Sequence, residues 1–387
     1  MVLQLSLQIF LGKNMLFLVN IELINFDGIT NKIISQKNAF EKSFDKCDFS
    51  YISIGGNDSG RFINDELKEN YTGIKLAKTF KSMICFNSLN DFIIENKVDF
   101  LYIRYSQFCN PFFLYFLSEI KKNNCTIYME IPTYPYDKES SFNKIAIIKK
   151  ALYGFFNWQE KITRKYIYRY IDRVITFSDD DYIFGIKTIK INNAVSSSLP
   201  LTISSGRNII KLIGVARLSN WHGYDRLIKS IHKYGNKNIE FHIVGNGKCK
   251  SELVNLKNSL SLDNIYFHGE KTGKDLDDLF NGCHIGIDSL GRHRSGNNTN
   301  SSLKSKEYLM RGLPIIKSHV DLGIDDSLYY YDVPSDNSDF DINKIVKWYI
   351  DNNFNNIDIR NYALSNFTWD VQINKIKEEF INGNSGK

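Results

Sequence analysis

The sequence predicts an α/β protein of two domains, each a parallel sheet covered by helices. Three observations carry this expectation. Apolar strand-like runs alternate with amphipathic helical patterns from Met15 to Met129, as in a parallel sheet with helices on both faces. A serine-rich stretch with one proline, 196–206, interrupts the pattern, and the alternation restarts at Ile209. A length of 387 residues favours two domains of ordinary size over one.

Composition narrows the class. Hydrophobic residues make up 43% and charged residues 24%, a balance that fills soluble globular cores. A net charge of +6 argues against a nucleic-acid binder driven by overall charge, while allowing a local basic face. Cysteines stand at 47, 85, 109, 125, 249 and 283 without a C-x-x-C pair, so reduced thiols in a cytoplasmic protein are expected. The opening MVLQLSLQIFLGK has no basic n-region. A signal peptide is therefore not expected, and Met15 is an alternative start. No apolar run approaches the ~20 residues that span a bilayer.

The elements follow in order. Met15–Ile21 is the core of a first strand, Phe26–Ile29 a glycine turn and Thr30–Phe44 a helix. Phe49–Ile54 is a strand, Ala77–Asn96 a helix, Phe100–Ile103 a strand, Phe112–Lys122 a helix and Thr126–Met129 a strand. Ligands of such sheets sit at the carboxyl ends of the strands, where Gly28 and Glu130 are both placed. Gly28 is read as an acceptor-side contact or a tight turn. Pro132 and Pro135 fix an extended loop after Glu130, which would put that carboxylate at the loop's mouth; a solvated Glu is the alternative.

Residues 144–170 carry seven Lys/Arg and one Glu among Ile, Leu, Phe, Trp and Tyr. Two readings stand side by side: attachment to an anionic membrane surface, or a core-facing helix with a solvated basic face. Nucleic acid is the weakest reading, because no binding motif accompanies the run. Asp172–Phe177 is a further strand. The acidic triplet Asp179–Asp181 is expected to cap a helix from Tyr182 rather than hold a cation.

In the second half, Ile209–Val215, Ile239–Val244 and Ile265–His268 are strands, and Tyr224–Tyr234 and Lys248–Leu260 helices. The stretch His284–Lys317 then reads strand, long polar loop, helix from Ser302, Gly312-Leu313-Pro314 stop, strand. Serines 301 and 302 can cap that helix and leave its first N–H groups free for an anion, with Lys304 in the first turn and Glu307 one turn on. Arg217, in the loop after the first strand of this half, can converge on the same anion.

The ordered set of landmarks resembles the GT-B-fold glycosyltransferases of the retaining family 4 type. The family's Gly-Arg-Leu-x-x-x-Lys-Gly loop corresponds to Ala216–Gly223. Its VGxG strand end corresponds to Val244–Gly247, and its nucleobase-side segment to Phe267–Glu270. Its donor helix corresponds to Ser302–Tyr308 and its NGVD to Asn192–Val195. Its FSW corresponds to Phe367–Trp369, where the helix crossing back toward the first domain begins. The match spans most of the chain.

The resemblance implies a GT-B fold of two Rossmann-like domains facing a central cleft, with closure over the donor. The domains are 1–196, a linker at 197–206, 207–360, and a C-terminal helix at 361–387. It implies transfer of a sugar from a UDP- or GDP-linked donor, with retention and without metal or cofactor. The implied acceptor is a glycan or polyprenyl-linked glycan in capsule, O-antigen or exopolysaccharide assembly. The enzyme is placed in the cytoplasm, with peripheral attachment to the inner face of the plasma membrane as an option. Donor-binding positions carried over are Arg217, His222, Gly245, Gly269, Ser302, Leu303, Lys304 and Glu307. Arg217, Glu307 and Glu130 are the catalytic candidates, and Gly28 and Glu130 the acceptor-side ones.

Three positions depart from the pattern, and the loop from Ser289 to Asn300 is longer than usual; Glu130 stands about where the family has a histidine after the fourth strand. His222 replaces the loop's Lys, and Thr299 replaces the first of two glutamates spaced eight apart. Arg292, His293 or Asn297 could do that glutamate's work. A nucleotide-sugar epimerase of GT-B fold and a non-catalytic glycan-binding partner are the rival readings.

Overall fold

The computed structural model describes residues 13–384, apart from 25–27, 56–57, 136–146, 205, 207, 236–237, 297 and 325–328. The chain divides into two compact units. Unit 1 is the chain to Ile191 together with Gln372 onward, and unit 2 is Asn192–Val371.

Unit 1 contains β1 (Asn14–Glu22), α1 (Gly28–Ser43), β2 (Lys46–Ser53), β3 (Gly60–Ile63), β4 (Glu66–Asn70), α2 (Lys75–Ile84), α3 (Asn87–Glu95), β5 (Phe100–Arg104), α4 (Pro111–Lys122), β6 (Thr126–Ile131), α5 (Ile147–Thr163), β7 (Arg173–Thr176), β8 (Tyr182–Ile183) and β9 (Ile186–Lys190). The sheet order is β4-β3-β2-β1-β5-β6-β7-β9-β8. Its centre is parallel, and the β3–β4 and β8–β9 hairpins add antiparallel edges. Met15–Val19 of β1 have no exposure, because a central parallel strand is covered on both faces.

Three expectations are corrected here. The single helix over 77–96 is two, broken at Cys85, whose backbone is extended. The break lets Phe86 pack against Phe108, Phe113 and Phe116. The acidic triplet caps no helix: Asp179 and Asp181 pair with Lys190 at 2.8 and 2.9 Å. They flank the β8–β9 hairpin, which turns at Phe184 and Gly185, both at positive φ. Glu130 does not stand at a loop's mouth. It lies within β6 with no exposure, and its carboxylate is taken by Arg104, by the Tyr102 hydroxyl at 2.7 Å and by Gln36 Nε2 at 2.6 Å. Burial opposes its charge, but Arg104, Lys32, Tyr102 and Gln36 outweigh that and hold the carboxyl below its usual range. The site after β6 therefore lacks a solvent-facing carboxylate from this residue.

Unit 2 contains β10 (Ile210–Val215), α6 (Tyr224–Tyr234), β11 (Ile239–Val244), α7 (Lys250–Ser259), β12 (Ile265–Gly269), α8 (Gly273–Phe280), β13 (Ile285–Ile287), α9 (Leu303–Met310), β14 (Ile315–Lys317), β15 (Tyr330–Asp332), α10 (Ile342–Asn352) and α11 (Asn356–Asn366). Its sheet is parallel, in the order β12-β11-β10-β13-β14-β15. The carboxyl ends of β10, β13 and β14 are therefore neighbours. Helix α12 (Trp369–Asn384) starts in unit 2 and continues in unit 1. There Phe380 packs 4.8 Å from Phe100 and Glu379 accepts from Arg173 at 3.0 Å.

Removing one partner of a buried ion pair leaves the other charged and dry, at a cost of about 3–5 kcal/mol. Glu130→Ala should lower stability by that order in denaturant titration. Wild-type stability in the variant would show that the Arg104 pair contributes little.

Candidate functional site

The loop after β10 is built by hydrogen bonds to its neighbour strand. Ala216 N–H donates to Val244 O and Leu218 N–H to Asn246 O, both at 2.9 Å. Gly245 permits this approach: at φ +120 a Cβ there would lie 2.0 Å from Ala216 O. Its N–H also donates to Gly269 O at 2.6 Å, and Gly269 itself has φ +69. These glycines shape the loop through backbone packing. Arg217 emerges from it exposed, with no acidic partner among the described residues.

His222 ends a short 3-10 turn, Asn220–His222. Its Nδ1 accepts from Ser219 N–H at 3.0 Å, which leaves the ring proton on Nε2 when the ring is neutral. Burial, then the Lys304 charge, push its pKa down to about 3. His222 is therefore a neutral donor near pH 7, and not the cation that a Lys would be.

The centre of the site is Asp288, at the end of β13 and without exposure. Its carboxylate meets Lys304 Nζ at 3.1 Å, the Ser305 hydroxyl and Ser289 N–H at 2.7 Å. Burial opposes its ionisation, yet Lys304, His319 and Ser305 hold it far below the usual carboxylate range. Lys304 also lies 3.3 Å from Ser289 Oγ. Its pKa is lowered by burial, an effect that Asp288 offsets and Arg292 adds to.

The serine caps differ from expectation. Ser302 stands at the N-cap of α9 without a side-chain cap bond. Its own N–H donates to Asp321 Oδ2 at 3.1 Å, and Asp321 forms a fully buried pair with Lys306. Ser301 receives Asn193, whose side-chain amide donates to Ser301 O at 2.6 Å. Leu303, the first helical residue, is 37% exposed. Glu307 is partly buried, with Arg311 Nε donating to Oε1 at 3.3 Å. Burial raises its pKa against the pull of Arg311.

The structure thus gathers His222, Ser302, Lys304 and Glu307 around the ends of β10 and β13, with Arg217 on the loop beside them. Gly28 and Glu130 lie in unit 1. Gly28 opens α1, exposed, with open space where a Cβ would be; residues 26 and 27 of the expected turn lie outside the described residues. Thr299 is exposed and forms an extended bridge with Val320. Asp288, Asp321 and His319 were not singled out from sequence. Asp288 follows directly on the apolar run 285–287, so its strand-end position could have flagged it. His319 and Asp321 come after the next strand, and sheet order alone brings them in. In unit 1, Lys32 was also unmarked; it lies 3.8 Å over the Phe177 ring, and burial brings its pKa to about 7. Among the described residues, no group of three or more His, Cys, Asp or Glu could hold a metal ion.

Residues 204–321 match the family described as glycosyl transferases group 1. No curated protein matches the chain. Solved structures do. A glycosyltransferase from Rickettsia africae has TM-score 0.63 and 14% identity, covering 96% of this chain and 100% of that one. Sucrose-phosphate synthase from Thermosynechococcus elongatus has TM-score 0.65 and 12% identity, covering 97% and 100%. HepE from Anabaena, in complex with UDP and glucose, has TM-score 0.54 and 14% identity, covering 97% and 100%. At these identities the likeness is one of fold, and the fold is GT-B.

Proposed function

We propose that this glycosyltransferase binds a nucleoside-diphosphate sugar in unit 2 and transfers the sugar, with retention and without a metal, to a glycan or polyprenyl-linked acceptor in polysaccharide assembly. The observation that carries the donor reading is an exposed Arg217, without an acidic partner among the described residues, just after β10, whose neighbour in the sheet is β13. Breaking the glycosidic bond builds negative charge on the leaving diphosphate. Arg217, the neutral Nε2–H of His222 and the first turn of α9 can stabilise it, an oxyanion-hole-type effect. Glu307 retains partial exposure and can accept from ribose hydroxyls. The family 4 assignment and retention rest on the ordered motifs. Glu130 acts in this reading by fixing the ends of β5 and β6 rather than by touching substrate.

HepE's UDP and glucose make UDP and UDP-glucose the first probes, with GDP beside them. Arg217→Ala should weaken nucleoside-diphosphate binding by roughly 10- to 100-fold in calorimetry, the range of a lost charge-assisted hydrogen bond, with an unchanged melting temperature. Equal affinity in the variant would remove Arg217 from the site.

Attachment to an anionic membrane is supported by the solvated side of α5 and the 3-10 turn after it. Phe155, Trp158 and Ile162 are 54, 60 and 40% exposed at helical spacing of one face. Lys161, Lys165 and Arg169 are exposed near them, while the segment's Glu160 is buried against Tyr105 and Arg164. Apolar rings beside cations suit the headgroup boundary of an anionic bilayer. Residues 144–146 lie outside the described residues, and no described helix is long and apolar enough to cross a membrane. The protein should sediment with anionic vesicles at low salt, and Trp158→Ser should reduce the bound fraction several-fold. A wild type that stays in the supernatant contradicts the membrane reading.

A further inference from the structure

A carboxylate that accepts from ribose hydroxyls works best when it is ionised and held in one direction. Glu307 is not placed for that by its own helix alone. Its side chain is 28% exposed, and burial pushes its pKa up. A second group has to hold both the charge and the orientation.

Arg311, one turn further along α9, does both. Its Nε donates to Glu307 Oε1 at 3.3 Å. Its Nη2 lies 2.7 Å from Asp277 Oδ1 of α8. The guanidinium sits 4.1 Å over the ring of Phe280, also of α8, and the residue is 2% exposed. A planar guanidinium laid on a ring and tied to a carboxylate keeps one orientation. It therefore takes one oxygen of Glu307. Among the described residues, none donates to the other oxygen, Oε2.

The neighbouring charges are committed elsewhere. On α9, Lys304 pairs with Asp288 and Lys306 with Asp321. On α11, which packs against α9, Arg360 donates to the carbonyls of Leu199, Met310 and Ser197, and Asp358 is exposed. After burial, the charges that act on Glu307 are Arg311, which lowers its pKa, and Asp277, which raises it.

We propose that Arg311, braced by Asp277 and Phe280, is a positioning residue of the donor site: it holds one oxygen of Glu307 and leaves the other for the ribose hydroxyls. Arg311 itself does not touch the ligand. This rests on the reading of unit 2 as a nucleoside-diphosphate site with Glu307 as its ribose contact. It gives α8 a part in ribose recognition, through the two residues that brace the guanidinium.

The test is calorimetry on the full chain with UDP or GDP, whichever the wild type binds, and its 2′,3′-dideoxy counterpart. The wild type should favour the ribose form by roughly tenfold, and Glu307→Gln should remove most of that preference. Arg311→Gln should cut the preference several-fold and change dideoxy affinity little. Arg311→Lys, which keeps a cation one turn from Glu307, should recover part of it. In the Glu307→Gln background, Arg311→Gln should cost nothing further, because both act through one carboxylate. The preference should fade as pH falls through the Glu307 pKa. That loss should begin at higher pH in Arg311→Gln, where the lowering charge is gone. It should begin at lower pH in Asp277→Asn, where the raising charge is gone. The Asp277 side chain is 33% exposed, so Asp277→Asn carries the test even where the buried Arg311 variants fail to fold. An unchanged preference in Arg311→Gln, or equal losses on both ligands with a lowered melting temperature, marks a structural arginine. Either overturns the proposal while leaving the donor site standing, and so does a pH profile that Asp277→Asn does not move. A wild type that binds both ligands equally removes Glu307 from the ribose, and this inference with it. A wild type that binds neither UDP nor GDP overturns the donor-site reading itself.

Discussion

The second unit of this molecule depends on one buried carboxylate. Asp288 ends β13 with no exposure to water, and a bare ion there would cost several kcal/mol. Lys304 and Ser305 at the start of α9 meet that cost, and His319 lies 3.8 Å away just after β14. The charge therefore fixes where α9 starts relative to the sheet. Asp321 does a similar job one strand over, taking the Ser302 N–H and the Lys306 ammonium. Two carboxylates thus orient a helix whose own serine does not cap it.

That arrangement changes what the cations of the site can do. Lys304 is less an open anion receptor than a counter-ion with one face left. His222 keeps its place in the loop through Ser219 N–H and serves as a neutral hydrogen-bond donor. Of the residues carried over by resemblance, Arg217 on the loop after β10 is the exposed cation. Loops that leave adjacent strand ends can be re-aimed without disturbing the sheet.

Strand and helix periodicity made both parallel sheets legible in the sequence, including the strand before Arg217 and the helix that carries Glu307. What escaped were features decided by tertiary context. In the β3–β4 hairpin, every residue of β4 but one is exposed, which is no apolar strand signal. The break at Cys85 is won by the burial of Phe86 in an aromatic cluster. Tyr182–Ile183 is too short a strand to outweigh an acidic triplet that looks like a cap. Glu130 was misplaced because two prolines suggested a loop where the strand continues two residues further, to Ile131, and nothing local announces Arg104, Tyr102 and Gln36 as its partners. His319 and Asp321 needed the sheet order, which no local pattern encodes.

The central claim is that unit 2 holds a nucleoside-diphosphate sugar at the ends of β10 and β13. A thermal-shift screen across nucleotide sugars tests it most directly, since a ligand at a hundred times its Kd stabilises by about 2.7 kcal/mol. One nucleotide sugar should raise the melting temperature by several degrees and its nucleoside diphosphate by a comparable amount. No shift with any nucleotide sugar or nucleoside diphosphate, at millimolar concentration and low salt, would contradict it.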